Sequence, residues 1–171
     1  MHTRKTFFRI TILILCMALA VSCRVKGTTR IAEFSENNRT LPASITVVNW
    51  NSQKGDHPQF IRDLTTLLER EQPDIVFLQE ATTDLLLPDQ MGGYFAKGWH
   101  YPWPGGGATG VLTLSRVPPI HIEPVPTRYG ELATGVPKVS LVAEYPLANG
   151  QRLLTINVHL LNFERWSLSL I

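Results

Sequence analysis

Three side chains that could bind a cation or another ligand stand at the tips or on the polar side of apolar segments. Asn51 ends one such segment, and Glu80 lies at the tip of the apolar run that begins at Ile75. A carboxylate there must be solvated, paired or bound to a cation, because an isolated buried charge is very unfavourable. His159 lies among alternating apolar and polar residues nearer the C-terminus. An amide, a carboxylate and an imidazole could converge at strand ends, where open α/β sheets bind ligands.

The segment around His159 predicts a strand with two different faces. Alternate residues of a strand point to opposite sides of the sheet. One face carries Leu154, Ile156, Val158 and Leu160, and the other carries Thr155, Asn157 and His159. His159 is therefore predicted to point away from the main apolar face.

Each of the three residues also has a purely structural interpretation. An asparagine at a strand end is usually a turn residue. Glu80 could begin a helix, where an acid in the first turn is favourable. A histidine on a strand is more often packed or exposed than catalytic. Taken singly, these interpretations are stronger than the functional ones.

The elements that would position these residues alternate between strand and helix. Residues 43–50 are rich in β-branched side chains, residues 58–70 place aliphatic side chains at helical spacing, and residues 74–79 form a short apolar run. This order predicts a β-α-β unit. Further strands, the last two flanking an Asn-Gly turn, are predicted at residues 110–115, 120–123, 139–145 and 152–161. The sum predicts a layered α/β fold with a mixed sheet.

Four of these segments, in order and spacing, resemble the endonuclease/exonuclease/phosphatase superfamily. Its fold is shared by deoxyribonuclease I, exonuclease III, inositol polyphosphate phosphatases and bacterial sphingomyelinases. The pair Asn-Trp-Asn and Leu-Gln-Glu, separated by one helix, is the most specific element. The four segments are Val-Asn-Trp-Asn at residues 48–51, Phe-Leu-Gln-Glu at 77–80, Thr-Gly-Val-Leu-Thr-Leu-Ser-Arg at 109–116 and Asn-Val-His-Leu at 157–160.

The resemblance implies a deoxyribonuclease I-like layered α/β sandwich with mixed β-sheets and a metal-dependent phosphoesterase activity. Asn51 and Glu80 match the family's metal-site asparagine and glutamate, and His159 matches a histidine that contacts the scissile phosphate. The implied cofactor is Mg²⁺, with Mn²⁺ as an alternative. Mg²⁺ prefers oxygen donors and is commonly held by one or two carboxylates together with substrate phosphate. The implied substrate is a phosphodiester or phosphomonoester, which could belong to a nucleic acid, a phospholipid or a phosphorylated metabolite.

The resemblance extends over residues 45–166, which correspond to the first part of the family domain. The family's later motifs, a Gly-Asp-x-Asn turn and a terminal Ser-Asp-His, are not found after His159, and the last aspartate is Asp89. We therefore expect a domain that is truncated at its C-terminus and impaired in hydrolysis. The alternative is a non-enzymatic or vestigial half-domain of an envelope lipoprotein.

The N-terminus predicts export. Arg4, Lys5 and Arg9 precede an uncharged apolar run at residues 10–21. That run is shorter than the roughly 20 apolar residues that a membrane-spanning helix needs. It leads through small residues into Cys23, which resembles the lipobox of bacterial lipoproteins.

These features predict three parts of the chain, namely a signal peptide at residues 1–22, a lipidated Cys23 with a polar tether at 23–41, and the domain at 42–171. The protein would be exported and held on a membrane of the cell envelope through a lipid anchor. Secretion without lipidation, for example to the periplasm, is the alternative. The sequence identifies no protein partner.

Composition excludes several classes of protein. The chain has 171 residues, of which 44% are hydrophobic and 18% charged, and this profile is typical of a globular protein and not of a disordered one. The formal charge of +2 is too even for a strongly basic nucleic-acid-binding surface. Cys16 lies in the predicted signal peptide, so Cys23 would have no partner for an intramolecular disulfide after cleavage.

Overall fold

The computed structural model describes residues 27–34, 39–87, 91–100, 107–130 and 137–160. The predicted signal peptide at 1–22, Cys23 and residues 161–171 lie outside these ranges. Within them, no helix has both the length and the apolar character needed to cross a membrane.

The strands form two sheets. In chain order, the elements are β1 (Thr28–Ala32), β2 (Val47–Asn51), a 3₁₀ turn (Gln53–Gly55), α1 (Phe60–Glu71), β3 (Ile75–Thr82), β4 (Gly92–His100), β5 (Ala108–Ser115), β6 (His121–Gly130), β7 (Pro137–Pro146) and β8 (Arg152–Val158). One sheet has the order β1-β4-β5-β3-β2, and the other has the order β6-β7-β8. β2 and β3 are parallel, whereas the other neighbouring strands are antiparallel, which confirms the predicted mixed sheet.

The predicted β-α-β unit is formed by β2, α1 and β3. Phe60, Leu64 and Leu68 recur at helical spacing and are buried in one cluster with Val76 of β3. Gln72 caps the C-terminus of α1 in a left-handed conformation (φ 45°), and its N–H bonds to the carbonyl of Leu68. The helix therefore covers one face of the five-stranded sheet and sets β2 parallel to β3.

The two sheets pack face to face. Ile75 of β3 is buried with Ala143 and Tyr145 of β7, and Val111 of β5 is buried with Leu141 of β7. Successive residues of β3 thus face α1 and the second sheet in turn. The layers are α1, the five-stranded sheet and the three-stranded sheet, which agrees with the expected α/β sandwich.

The predicted Asn-Gly hairpin joins β7 to β8. Gly150 has a left-handed φ of 82°, and the N–H of Leu147 bonds to the carbonyl of Gln151. Asn149 accepts a hydrogen bond from the Gln151 N–H through its side chain, as asparagine commonly does in turns.

Part of the predicted tether belongs to the fold. β1 lies inside residues 23–41 and pairs with β4, and Leu41 is fully buried. The tether interpretation is therefore wrong for residues 28–32. Its polar composition concealed the strand because β1 is at the sheet edge, where side chains stay partly exposed.

Two strands differ from their sequence-based predictions. β4 lies between β1 and β5, but the sequence predicts no strand there because Gly92 and Gly93 are weak strand formers. β6 continues past residue 123 through Pro124 and Pro126. Proline is tolerated in this position because β6 is an edge strand.

The two faces of β8 are reversed relative to the usual burial of apolar side chains. Leu154, Ile156 and Val158 are 62%, 54% and 41% exposed, whereas Asn157 is only 1% exposed. The polar face packs inward because its members find hydrogen-bond partners there. The hydroxyl of Thr155, for example, donates to a backbone carbonyl of β7.

Candidate active site

The ends of β2, β3 and β8 bring Asn51, Glu80 and His159 together. Asn51 is paired with Gln79 across the parallel strands, so it lies beside Glu80. The side-chain amide of Asn51 donates from Nδ2 to Glu80 Oε1 at 3.0 Å. Nε2 of His159 lies 3.4 Å from the same carboxylate oxygen. Glu80 does not begin a helix, since β3 continues to Thr82.

The three side chains differ in their access to solvent. The side chain of His159 is 11% exposed and that of Glu80 is 26% exposed, whereas Asn51 is an exposed residue. The carboxylate can therefore be reached from solvent, while most of the imidazole is enclosed. A protonated His159 would form an ion pair with Glu80.

Glu80 lies in a β-bulge. Gln79 pairs with Val111, but Ala81 pairs with Gly110, and this shift of register leaves Glu80 without a partner in β5. The φ angle of Glu80 is 53°, in the left-handed region. In a regular strand this side chain would point to the helix side of the sheet. Bulges re-aim side chains, and this one directs Glu80 toward the other two site residues.

The chain after β2 makes a left-handed turn at the edge of the site. Gln53, Lys54 and Gly55 have φ angles of 47°, 62° and 72°. Ser52 anchors this turn because its N–H and its hydroxyl both donate to the carbonyl of Gln79, at 2.9 and 2.8 Å. Of the four non-glycine residues with positive φ in the described ranges, three lie at this site. Such conformations cost of order 1–3 kcal/mol each, so backbone strain is concentrated here.

A chain of amides lies behind the site. Nε2 of Gln79 donates to Oδ1 of Asn49 at 2.7 Å and to Oδ1 of Asn157 at 2.8 Å. Asn157 donates in turn to the carbonyl of Leu112 at 2.9 Å and to the hydroxyl of Thr113 at 3.2 Å. No role for Gln79 is predicted from the sequence. The available signal was the presence of amides in apolar strands, because a buried amide needs hydrogen-bond partners.

A cavity of about 340 Å³ lies between the turn after β2, the start of α1 and the end of β3. Its lining includes Lys54 and Thr82, which are close in sequence to Asn51 and Glu80, together with Asp84. Asn51, Glu80 and His159 do not line this cavity, which borders Phe60 and Ile61 of α1.

The donor chemistry of the site fits a hard divalent cation. Mg²⁺ prefers oxygen ligands and commonly uses one or two carboxylates, several waters and a substrate phosphate. Glu80 offers the carboxylate, and Oδ1 of Asn51, which accepts one hydrogen bond from the Gln53 N–H at 3.0 Å, has a second lone pair. In the part of the chain that the structure describes, no three His, Cys, Asp or Glu side chains group as metal ligands. The fit therefore rests on Glu80 and Asn51.

The chain is similar in sequence and in fold to known proteins. Residues 48–163 match the sequence profile of the Endonuclease/Exonuclease/phosphatase family. The UPF0294 protein plu0699 of Photorhabdus laumondii subsp. laumondii is 29% identical over 127 residues, which cover 68% of this chain and 44% of that protein. An endonuclease/exonuclease/phosphatase family protein from Leptotrichia buccalis C-1013-b has a similar fold, with a TM-score of 0.52 and 12% identity over 70% of this chain and 54% of that chain.

The chain thus spans about half the length of these relatives. The profile match covers all four segments that carried the resemblance in sequence. The structural similarity supports the same fold independently of sequence identity. The chain belongs to the endonuclease/exonuclease/phosphatase family.

Proposed function

We propose that the protein hydrolyses phosphoesters with the help of a divalent metal ion, Mg²⁺ or Mn²⁺. The observation that carries the proposal is the convergence of Asn51 and His159 on a single carboxylate oxygen of Glu80. Family membership supports hydrolase chemistry of the phosphoesterase or nuclease type. The proposed substrates are phosphodiesters or phosphomonoesters, whether in nucleic acid, phospholipid or phosphorylated metabolites.

Glu80 and Asn51 are the residues that would hold the metal. When bound, a divalent ion polarises a phosphoryl oxygen and stabilises negative charge on the departing oxygen. Asn51 has a second role, because its Nδ2 donates to Glu80 Oε1 and fixes the orientation of the carboxylate. The second carboxylate oxygen is then available for the metal.

His159 would bind the scissile phosphate through its ring N–H. Its imidazole is mostly enclosed, and enclosure strengthens a hydrogen bond to an anion by reducing competition from water. Glu80 limits the rotation of the ring by holding Nε2. A donor fixed in this way can stabilise charge that develops on the phosphate without reorganising during the reaction.

We propose further that the protein acts in the cell envelope, anchored to a membrane by lipid on Cys23. This proposal rests on the basic and apolar N-terminal segment and the small residues that precede Cys23. Mass spectrometry of the protein purified from membranes tests it, since lipidation of Cys23 removes residues 1–22 and adds the mass of acyl chains. A water-soluble product cleaved at another bond would contradict it.

The test of the hydrolase proposal uses the full chain with bis-p-nitrophenyl phosphate and p-nitrophenyl phosphate as probes. We expect turnover that requires Mg²⁺ or Mn²⁺, is abolished by EDTA and is lost in Glu80→Gln. Glu144→Gln is the matched control, because Glu144 is also a partly exposed carboxylate that pairs with a cation, Arg152. Equal turnover in the two variants would refute the assigned role of Glu80. No metal-dependent turnover by the wild-type chain would support the alternative, a non-enzymatic envelope lipoprotein.

A further inference from the structure

We propose that Asn49, Gln79 and Asn157 form a positioning network that sets the relative places of Asn51, Glu80 and His159. The consequence for catalysis rests on the proposed function, whereas the positioning itself can be tested without it.

Each amide of the network is a near neighbour in sequence of one site residue. On β2, Asn49 lies two residues before Asn51 and on the same face, and on β3, Gln79 immediately precedes Glu80. Asn157, in β8, lies two residues before His159. A displacement of one amide is therefore passed along a short, extended piece of backbone to the site residue beside it.

The network joins the two sheets at the level of the site. β2 and β3 belong to the five-stranded sheet, and β8 belongs to the three-stranded sheet. Gln79 is the central member because its Nε2 donates to both Asn49 and Asn157, at 2.7 and 2.8 Å. The backbone carbonyl of Gln79 also holds Ser52, so the turn that follows Asn51 is fixed to the same residue.

The chemistry of the network suits positioning better than it suits stability. Gln79 and Asn157 are 7% and 1% exposed, so their polar atoms lose contacts with water on folding, and each hydrogen bond that replaces those contacts adds little net stability. Apolar residues could join the sheets equally well, but apolar contact has no preferred direction. Hydrogen bonds of 2.7–2.9 Å fix both distance and direction.

The network is also fully satisfied. Asn157 uses its Nδ2 for the Leu112 carbonyl and the Thr113 hydroxyl. Among the described residues, no buried side-chain nitrogen or oxygen is without a hydrogen-bond partner. A satisfied network of this kind rigidifies and specifies one arrangement, which is what a site assembled from three strands requires.

The experiment compares Gln79→Met with Ser115→Ala in the full chain. Gln79→Met keeps the length of the side chain but removes both donors. Ser115→Ala is the matched control, because Ser115 is 1% exposed and donates a buried hydrogen bond to Val117. It is paired with Ile75, at the opposite end of β3 from Glu80.

In the metal-free protein, we expect Gln79→Met to shift the NMR signals of the Asn51 side-chain amide and the His159 ring, and Ser115→Ala to leave both unchanged. We expect Mn²⁺ affinity, measured by calorimetry, and kcat with bis-p-nitrophenyl phosphate each to fall about 10- to 100-fold in Gln79→Met alone, the usual effect of removing a residue that orients a ligand. Asn49→Ala removes one acceptor of the network at an exposed residue, so it provides the test if Gln79→Met does not fold. We expect it to change the NMR signals, the Mn²⁺ affinity and kcat in the same direction as Gln79→Met, but by less.

Unchanged Asn51 and His159 signals in both network variants would overturn the inference, whatever their melting temperatures. If the wild-type chain binds no Mn²⁺ and hydrolyses neither probe, the proposed function fails, and the NMR comparison alone decides the positioning role. Shifted signals in Gln79→Met and Asn49→Ala, but not in Ser115→Ala, would support it.

Discussion

Gly110→Ala is expected to destabilise the fold and disturb the site together. Gly110 pairs with Ala81, the residue after Glu80, at the bulge. A Cβ at residue 110 would collide with the carbonyl oxygen of Ala96, and it would lie 3.0 Å from the Ala96 carbonyl carbon and 3.1 Å from the Gly98 nitrogen. These obstacles are backbone atoms of β4, so no side-chain rotation can relieve the collision.

We expect Gly110→Ala to lower the free energy of unfolding by about 3 kcal/mol, near the upper end of the range for overpacked cores. For a protein of this size, a loss of 1 kcal/mol lowers Tm by about 2–4 °C, so we expect a decrease of about 6–12 °C. Because the strain falls beside the Glu80 bulge, metal-dependent turnover should also fall at temperatures where the variant is fully folded.

The measurements are denaturant unfolding, thermal unfolding by circular dichroism and the phosphoesterase assay. Gly107→Ala is the control, because it is the same substitution just before β5 and nothing lies within 4 Å of the added Cβ. It should change stability by less than about 0.5 kcal/mol. If Gly110→Ala and Gly107→Ala unfold at the same denaturant concentration, the argument from close approach is refuted.

Three further predictions concern the site, the pH dependence of stability and the core. His159→Ala should lower kcat about 100-fold or more with little change in Tm. The side chain of His121 is 58% exposed, so His121→Ala should leave kcat unchanged. Equal kcat values for the two variants would contradict the role of His159. Burial, reinforced by nearby Tyr94, raises the pKa of Tyr145 from 10.0 to about 12. As the pH rises from 10 to 12, the unfolded chain therefore loses this proton before the folded chain does. The free energy of unfolding should fall by up to about 2.7 kcal/mol over this range. Denaturant titrations should show this decrease in the wild-type chain but not in Tyr145→Phe. Leu64→Ala should lower the free energy of unfolding by about 2–5 kcal/mol because Leu64 is fully buried. Leu86 is 72% exposed, so Leu86→Ala should lower it by less than about 0.5 kcal/mol in the same titrations.

The sequence predicted correctly the elements that depend on residues close together in the chain. The 3.6-residue spacing of apolar side chains marked α1 to within two residues at each end. The Asn-Gly turn at residues 147–150 marked the hairpin between β7 and β8 correctly. The edge strands were harder, because β1 is polar and β6 contains Pro124 and Pro126. Their hydrogen bonds come from one neighbour only, so their composition is less constrained.

Sequence motifs singled out the three residues that the structure brings together, but they did not predict the geometry of those residues. The ordered motifs identified Asn51, Glu80 and His159, and the parallel pairing of β2 with β3 could be inferred from the β-α-β unit. The bulge at Glu80 depends on its partner strand, since Gly110 is what allows β4 and β5 to approach there. No pattern within residues 75–82 reveals that requirement. The amide network likewise depends on contacts between residues 78 positions apart, such as Gln79 and Asn157.

The reversed faces of β8 and the location of the candidate site both follow from the polar side chains that point inward from this part of the chain. Leu154, Ile156 and Val158 point outward, although apolar residues at every second position normally mark the buried face. The inward positions are occupied by Thr155, Asn157 and then His159, and each has a partner, respectively a β7 carbonyl, the amide network and Glu80.

A sheet interface filled only with aliphatic side chains would be cohesive, but it could not hold an imidazole 3.4 Å from a carboxylate. Placing the polar face of β8 inward gives that imidazole a fixed position, and it leaves the aliphatic face exposed. Departures from local rules are expected at functional sites. Among the strands that the structure describes, β8 has the most exposed apolar side chains, and it is the strand that leads into His159.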